Sequence, residues 1–176
     1  MSELVARASG IELLLLDVDG VLTDGRVTYT DEGDEIKRFH VRDGSGIKIW
    51  QSFGLKVAVI SGRTSKAVER RAIELAISPV IQGRSDKLPA FRGLLDELQI
   101  TPERVCAIGD DLPDLPVMVR CGLSVAVADA CAEVRAAANH TTVAIGGAGA
   151  VREAIEWVLT LRNQWHEVVE RFRANT

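Results

Sequence analysis

The stretch LLLLDVDGVLTDG (residues 13–25) decides the reading of this chain: four leucines in a row, then Asp17 and Asp19 where the apolar run stops, then Gly20. An unbroken apolar run of this length, bounded by turn residues, is what a strand buried on both faces requires, because neither side of the pleat meets water. Residues two apart in a strand share a face, so the two acids point into one space if the strand continues. Like charges clustered at a strand tip are costly unless a cation or ligand pairs them. Gly20 permits a sharp exit and a close backbone approach. Taken alone, Asp-x-Asp is equally a cap or a turn.

Outward from this strand the chain alternates. Residues 25–41 carry two β-prone runs around DEGDE, a hairpin pattern, and 45–54 fit a short helix ended by Gly54. LKVAVISG (55–62) is a second apolar strand. Residues 65–77 form an amphipathic helix with Val68, Ala72, Ile73 and Ala76 on one stripe. PVIQG (79–83) reads as a third strand, and 85–100 as a helix with Ser85 as cap and Pro89 in its first turn. RVCAIGDD (104–111) is a fourth strand that again ends in acids. A short helix over 112–122, a strand over 123–130, a helix over 131–139, a strand TTVAI (141–145) and one long terminal helix (149–174) complete the chain. Strands alternating with helices predict an α/β fold: a doubly wound, mostly parallel Rossmann-like sheet with helices on both faces. All 176 residues read as one domain, with a β-hairpin insertion at about 26–40. In such sheets ligands bind beyond the carboxyl ends of the strands.

Composition narrows the partners. Hydrophobic residues make up 47% and charged residues 26%, the net charge is −4, and there is no basic tract, which argues against nucleic acid. IELLLL is too short for a membrane span and runs into acid, so a soluble cytoplasmic protein is expected. Cys106, Cys121 and Cys131 lack metal-type spacing and read as reduced, buried thiols.

Four signals coincide at strand ends: the acids of Asp17-Val18-Asp19-Gly20; Ser61-Gly62-Arg63, where a hydroxyl and free N–H groups ahead of a helix suit an anion; Lys87, unfavourable at a helix N-terminus unless an anion faces it; and GDDLPD (109–114), whose Asp110, Asp111 and Asp114 supply hard oxygen ligands suited to Mg²⁺. Ser61 is equally a helix cap and Lys87 equally a surface lysine, each taken singly. Their joint order and placement is the informative observation.

This set resembles the haloacid dehalogenase superfamily of phosphotransferases across nearly the whole chain, with DVDGVLTDG, Ser61, Lys87 and GDDLPD matching its four motifs. The resemblance implies that Asp17 is the nucleophile and Asp19 the general acid/base, with Ser61 and Lys87 binding the phosphoryl group. It further implies that Mg²⁺ is held by Asp17, the Asp19 carbonyl and Asp110, supported by Asp111 or Asp114. Thr23 reads as a turn residue. Only 35 residues separate Gly25 from Ser61 and 24 separate Gly62 from Lys87, too few for an inserted cap domain in either gap. An open site of this kind is poorly selective unless a neighbouring subunit covers it.

The stretches 24–48, SGRTS, GLSVAVADA and GGAGAVREAIE are similar to a capless, homotetrameric group of the superfamily that acts on an eight-carbon sugar acid phosphate in lipopolysaccharide synthesis. The similarity implies a substrate site lined by Asp19, the HVRDG loop (His40, Val41, Arg42, Asp43, Gly44), Lys48, Gly62, Arg63, Arg71 and Lys87, near subunit interfaces. Arginine offers a planar fork for the substrate carboxylate. Arg71 is equally a solvated residue on a charged helix face, and Arg42 and Asp43 are equally a turn pair. A phosphatase for a nine-carbon sugar acid and a non-catalytic oligomerising module are the competing readings. The terminal stretch LRNQWHEVVERFRANT departs most from the group's pattern; Trp157, Trp165, Val168 and Val169 are available for packing on the domain or a partner, and His166 reads as surface.

Overall fold

The computed structural model describes residues 3–174. A helix α1 (Glu3–Gly10) precedes the leucine strand β1 (Leu13–Leu16). The hairpin strands β2 (Thr28–Tyr29) and β3 (Glu35–Ile36) follow, then α2 (Val41–Ser52), β4 (Lys56–Ile60), α3 (Lys66–Leu75) and β5 (Val80–Ile81). After α4 (Lys87–Leu98) come β6 (Val105–Gly109), α5 (Leu115–Met118), β7 (Leu123–Ala126), α6 (Ala132–Ala137), β8 (His140–Thr141), α7 (Ala150–Leu161) and α8 (Trp165–Ala174).

The main sheet has six parallel strands in the order β5-β4-β1-β6-β7-β8. The chain runs outward from β1 through β4 to β5, then returns to the other side of β1 as β6. That reversal makes the carboxyl end of β1 a topological switch point, where an open sheet leaves a crevice. All four leucines of β1 are buried, and full burial of such a side chain contributes about 1.5–3 kcal/mol. This is the α/β architecture expected from the alternating pattern.

Several local expectations are corrected. HVRDG is not a loop: His40 stands at the N-cap position of α2, making no side-chain capping bond, and Val41 to Gly44 form its first turn. The buried stripe of α3 is Val68, Ala72 and Leu75, whereas Ile73 is 81% exposed and Ala76 is exposed. The reason is angular, since Ile73 stands about 100° around the helix from Ala72. Asp86, not Ser85, caps α4, its side chain accepting from the Leu88 N–H at 3.3 Å. The last strand is His140–Thr141; beyond it Thr142 is buried, while Val143, 90% exposed, and Ile145 turn toward solvent. The long terminal helix is two helices, broken where Asn163 adopts a left-handed φ of 56°.

The helix α1 carries no strand-end signal and escaped the sequence reading; the Arg162 guanidinium pins it by donating to the carbonyls of Ala8, Ser9 and Ile11. Val168 is buried, Trp165 lies under Arg152, Trp157 stacks on His140, and His166 is exposed, so α8 packs on its own chain. Asn175 and Thr176, the end of that stretch, lie outside the described residues. The three cysteines are free, with Cys106 buried and the other two half-buried. No helix among the described residues is long and apolar enough to cross a membrane.

Candidate active site

Regular pairing of β1 ends at Leu16, and one further bond, Asp17 N–H to the Ile108 carbonyl at 3.3 Å, aligns Asp17 with the tip of β6. The chain then coils, because the Val18 carbonyl accepts from the N–H groups of Val21, Leu22 and Thr23. Asp19 therefore reaches the same cleft as Asp17 through a turn rather than through continued strand. Gly20 is obligatory in this turn: its φ is +91°, and a Cβ there would overlap the Asp110 carboxylate. Thr23 is buried, its hydroxyl accepting from Gly25 N–H at 3.3 Å and donating to Val18 O at 3.3 Å, as a turn residue should.

A cleft of about 480 Å³ opens at these strand ends, lined by Asp17, Asp19, Gly25, Ser61, Gly62, Arg63, Ser85, Lys87, Asp110, Asp111, Pro113 and Asp114. Lys87 opens α4 and is 6% exposed; its ammonium bonds Asp17 at 2.7 Å and Asp114 at 2.6 Å. Burial alone would depress this lysine, yet the two carboxylates hold it above its ordinary value. Asp114 in turn accepts from the N–H groups of Asp110 and Asp111, at 3.1 and 3.3 Å, which ties the acid loop after β6 to the lysine. Ser61 is buried at the end of β4, its hydroxyl accepting from Arg63 N–H at 3.4 Å.

The acids are under electrostatic load. Burial and the charge of Asp114 push Asp17 up to about 6, although Lys87 opposes them. Asp110 is pushed up to about 8, by burial first and then by Asp17 and Asp114. Asp17, Asp110 and Asp114 each offer an oxygen within 4.8 Å of the others. The Asp110 Oδ1 atom is buried with no partner among the described residues. A buried carboxyl oxygen left unpaired beside two more carboxylates is a place for a hard divalent cation, so the donor set fits Mg²⁺.

Asp19 meets basic residues from two directions. Lys37, from the chain leaving β3, bonds its Oδ1, and the Arg63 Nε lies 3.6 Å from its Oδ2. Arg63 also bonds Glu35 at 2.8 Å, which, with its other partners, raises its proton affinity. Neither Lys37 nor Glu35 figured in the sequence reading. The signal was present: in Glu35-Ile36-Lys37 the charged residues are two apart and share a face, whereas Ile36 is 47% exposed.

The remaining candidates lie elsewhere in this single chain. Val41, Arg42 and Lys48 are exposed on α2. Lys48 lines a second cleft of about 310 Å³, between α2 and α8. Arg71 packs over Phe39 at 5.9 Å and pairs with Glu74 at 3.1 Å, its guanidinium 2.4 Å from where a Cβ at Gly44 would stand. Asp43 is 1% exposed and caps α7 from across the fold, accepting from Gly149 N–H at 3.3 Å and Arg152 N–H at 2.8 Å. His40 is half-buried at the start of α2.

A family model of haloacid dehalogenase-like hydrolases matches residues 76–155. The 3-deoxy-D-manno-octulosonate 8-phosphate phosphatase of Escherichia coli (strain K12) is 46% identical over 166 residues, 94% of this chain and 88% of that one. A probable YrbI-family phosphatase from Pseudomonas syringae pv. phaseolica superposes with a TM-score of 0.93 at 46% identity, covering 97% of each chain. The 3-deoxy-D-manno-octulosonate 8-phosphate phosphatase of Moraxella catarrhalis, solved with magnesium, phosphate and the sugar acid, superposes with a TM-score of 0.94 at 42% identity, covering 98% of this chain and 99% of that one.

Proposed function

The chain belongs to the haloacid dehalogenase-like hydrolases, in the family of the 3-deoxy-D-manno-octulosonate 8-phosphate phosphatases, and from that premise we propose that it hydrolyses this sugar acid phosphate to the free sugar acid and phosphate. The observation that carries the proposal is the pairing of Asp17 with Lys87 at 2.7 Å, beside the unpartnered oxygen of Asp110 and in the same cleft as Asp19.

Asp17 is the nucleophile, held in place by Lys87 and attacking phosphorus to give an aspartyl-phosphate; this splits one hard displacement into two easier ones. Lys87 and the Ser61 hydroxyl hold the nontransferring oxygens and offset their negative charge. Asp19 gives its proton to the leaving oxygen of C8, then takes one from the water that cleaves the acyl phosphate. Mg²⁺, held by Asp17, the Asp19 carbonyl and Asp110, with Asp111 and Asp114 in support, supplies Lewis-acid stabilisation of the phosphoryl charge. Arg63 is the fork for the substrate carboxylate.

The residues of α2 and α3 that lie outside the cleft, including Val41, Arg42, Lys48 and Arg71, join a site completed by a neighbouring copy in a cytoplasmic homotetramer. Supporting this are exposed apolar side chains on the hairpin, Val27, Tyr29 and Ile36, and on the helices, Val41 and Ile73. Phosphate release from the eight- and nine-carbon sugar acid 8- and 9-phosphates with Mg²⁺ tests the reading. Wild type should prefer the eight-carbon compound, and Asp17→Asn should release none above background. Equal release by wild type and Asp17→Asn refutes catalysis, and preference for the nine-carbon compound reassigns the substrate.

A further inference from the structure

The hairpin does more than decorate the sheet, because it delivers a lysine into the catalytic cleft. The Lys37 side chain is 2% exposed, and its ammonium faces two carboxylates: it bonds Asp19 Oδ1 and lies 3.6 Å from Glu35 Oε1. Glu35 is fastened in its own right to Arg63, at 2.8 Å, and that arginine belongs to the loop after β4. Glu35 is also held below its ordinary proton affinity, by a bond from Ser65 at the start of α3 and by Arg63. The end of β3 is thus clasped by residues 63–65, and Lys37 is carried to Asp19 by that clasp.

The consequence is an asymmetry between the two oxygens of Asp19. Oδ1 is occupied from the buried side by Lys37, with the Thr23 hydroxyl at 3.5 Å. Among the described residues Oδ2 has only the half-exposed Arg63, whose Nε is 3.6 Å away. A carboxyl group that must hand a proton to one particular oxygen works only if it cannot spin, since misorientation of a catalytic group costs rate without affecting binding. We infer that Lys37 is a positioning residue for proton transfer: it reserves Oδ1 and leaves Oδ2 as the oxygen that exchanges the proton. As the P–O bond to the alcohol breaks and its electron pair goes to the alcohol oxygen, the Oδ2 proton moves to that oxygen, while Asp17 forms the new bond to phosphorus. In the second half, Oδ2 takes the proton of the attacking water as the bond from phosphorus to Asp17 breaks.

This inference rests on the phosphatase reading, and the test separates the two by leaving group. An alkoxide from a sugar C8 needs the proton, whereas 4-nitrophenolate departs without one. The first turnover is followed by rapid mixing for 3-deoxy-D-manno-octulosonate 8-phosphate and for 4-nitrophenyl phosphate. Lys37→Met should slow alcohol release at least thirtyfold while slowing the 4-nitrophenolate burst less than threefold, with KM for the sugar acid phosphate changed less than threefold. In an Asp19→Asn background the same change should add no further selective loss. Lys37→Arg, which keeps a cation at this place, should restore most of the alcohol-release rate and serves if the methionine variant does not fold. Equal slowing with both leaving groups, or no slowing with either, overturns the positioning role while leaving the phosphatase reading intact. A wild-type protein that turns over neither compound refutes the phosphatase reading itself.

Discussion

Asp110 has one carboxylate oxygen with no partner among the described residues, and its proton affinity is pushed up to about 8. Together with Asp17, pushed up to about 6, it makes the metal-free site a store of protons that the unfolded chain would release near its ordinary value of 3.8. Groups raised in this way contribute stability that is fully present below the unfolded value and is lost as pH rises through the folded one. The metal-free protein should therefore lose thermal stability as pH rises from about 4 through 6 and on past 8. Saturating Mg²⁺ should reverse that slope, since the cation binds the deprotonated acids and protons compete with it. Melting curves in chelator and in Mg²⁺ across this range check both signs; parallel curves would mean the trio binds no cation.

At the scale of elements, the linkage between α2 and α7 matters most for the site. Asp43, buried in the first turn of α2, caps the N-terminus of α7, supplying an acceptor to helix N–H groups that lack one. The segment leading into α7 packs against the catalytic turn: Gly147 N–H donates to the Val21 carbonyl at 3.0 Å, and a Cβ at Gly146 would collide with the Gly20 carbonyl. Asp43 is thus tied to the catalytic turn through a helix end. Asp43→Ala leaves buried donors unpaired, which costs about 1–3 kcal/mol. That corresponds to a melting point lower by a few degrees to about 10 °C in a chain of this size. Asp43→Asn, which keeps the acceptor, should recover most of the loss. Differential scanning calorimetry of the two variants, beside their KM for the sugar acid phosphate, distinguishes a cap from a ligand-binding acid, because only the latter loses substrate affinity at unchanged stability.

At the scale of the whole molecule, the six-stranded parallel sheet sets the carboxyl ends of β1, β4 and β6 side by side and leaves the cleft uncapped. The hairpin stands apart from that sheet with Tyr29 60% and Ile36 47% exposed. Apolar surface of this kind is what a subunit contact covers. Charging it, with Tyr29→Glu and Ile36→Lys together, should lower the mass measured by light scattering and weaken activity on the sugar acid phosphate more than on 4-nitrophenyl phosphate. An unchanged mass, or a wild type that is already monomeric, would mean that the hairpin makes no subunit contact.

What was legible in the sequence was whatever depends on local pattern. LLLLDVDG declares a strand buried on both faces that stops at acids; Ser61, Lys87 and GDDLPD declare the other tips by the same change from apolar to polar; and the short gaps between motifs exclude a cap. These follow from hydrophobic periodicity and loop length, which a chain carries in one dimension. The tertiary structure alone decided which charges meet. Lys87 joins Asp17 and Asp114 across 70 and 27 positions, Asp43 reaches Arg152 across 109, and Lys37 reaches Asp19 only because the hairpin folds back over the loop after β4. Side-chain direction on a short strand, and the docking of one helix end on another, are set by packing between segments remote in the chain, and no local pattern encodes them. The two acids that end β1 were plain from the start; that a buried lysine from the hairpin holds one of them was a matter of the fold.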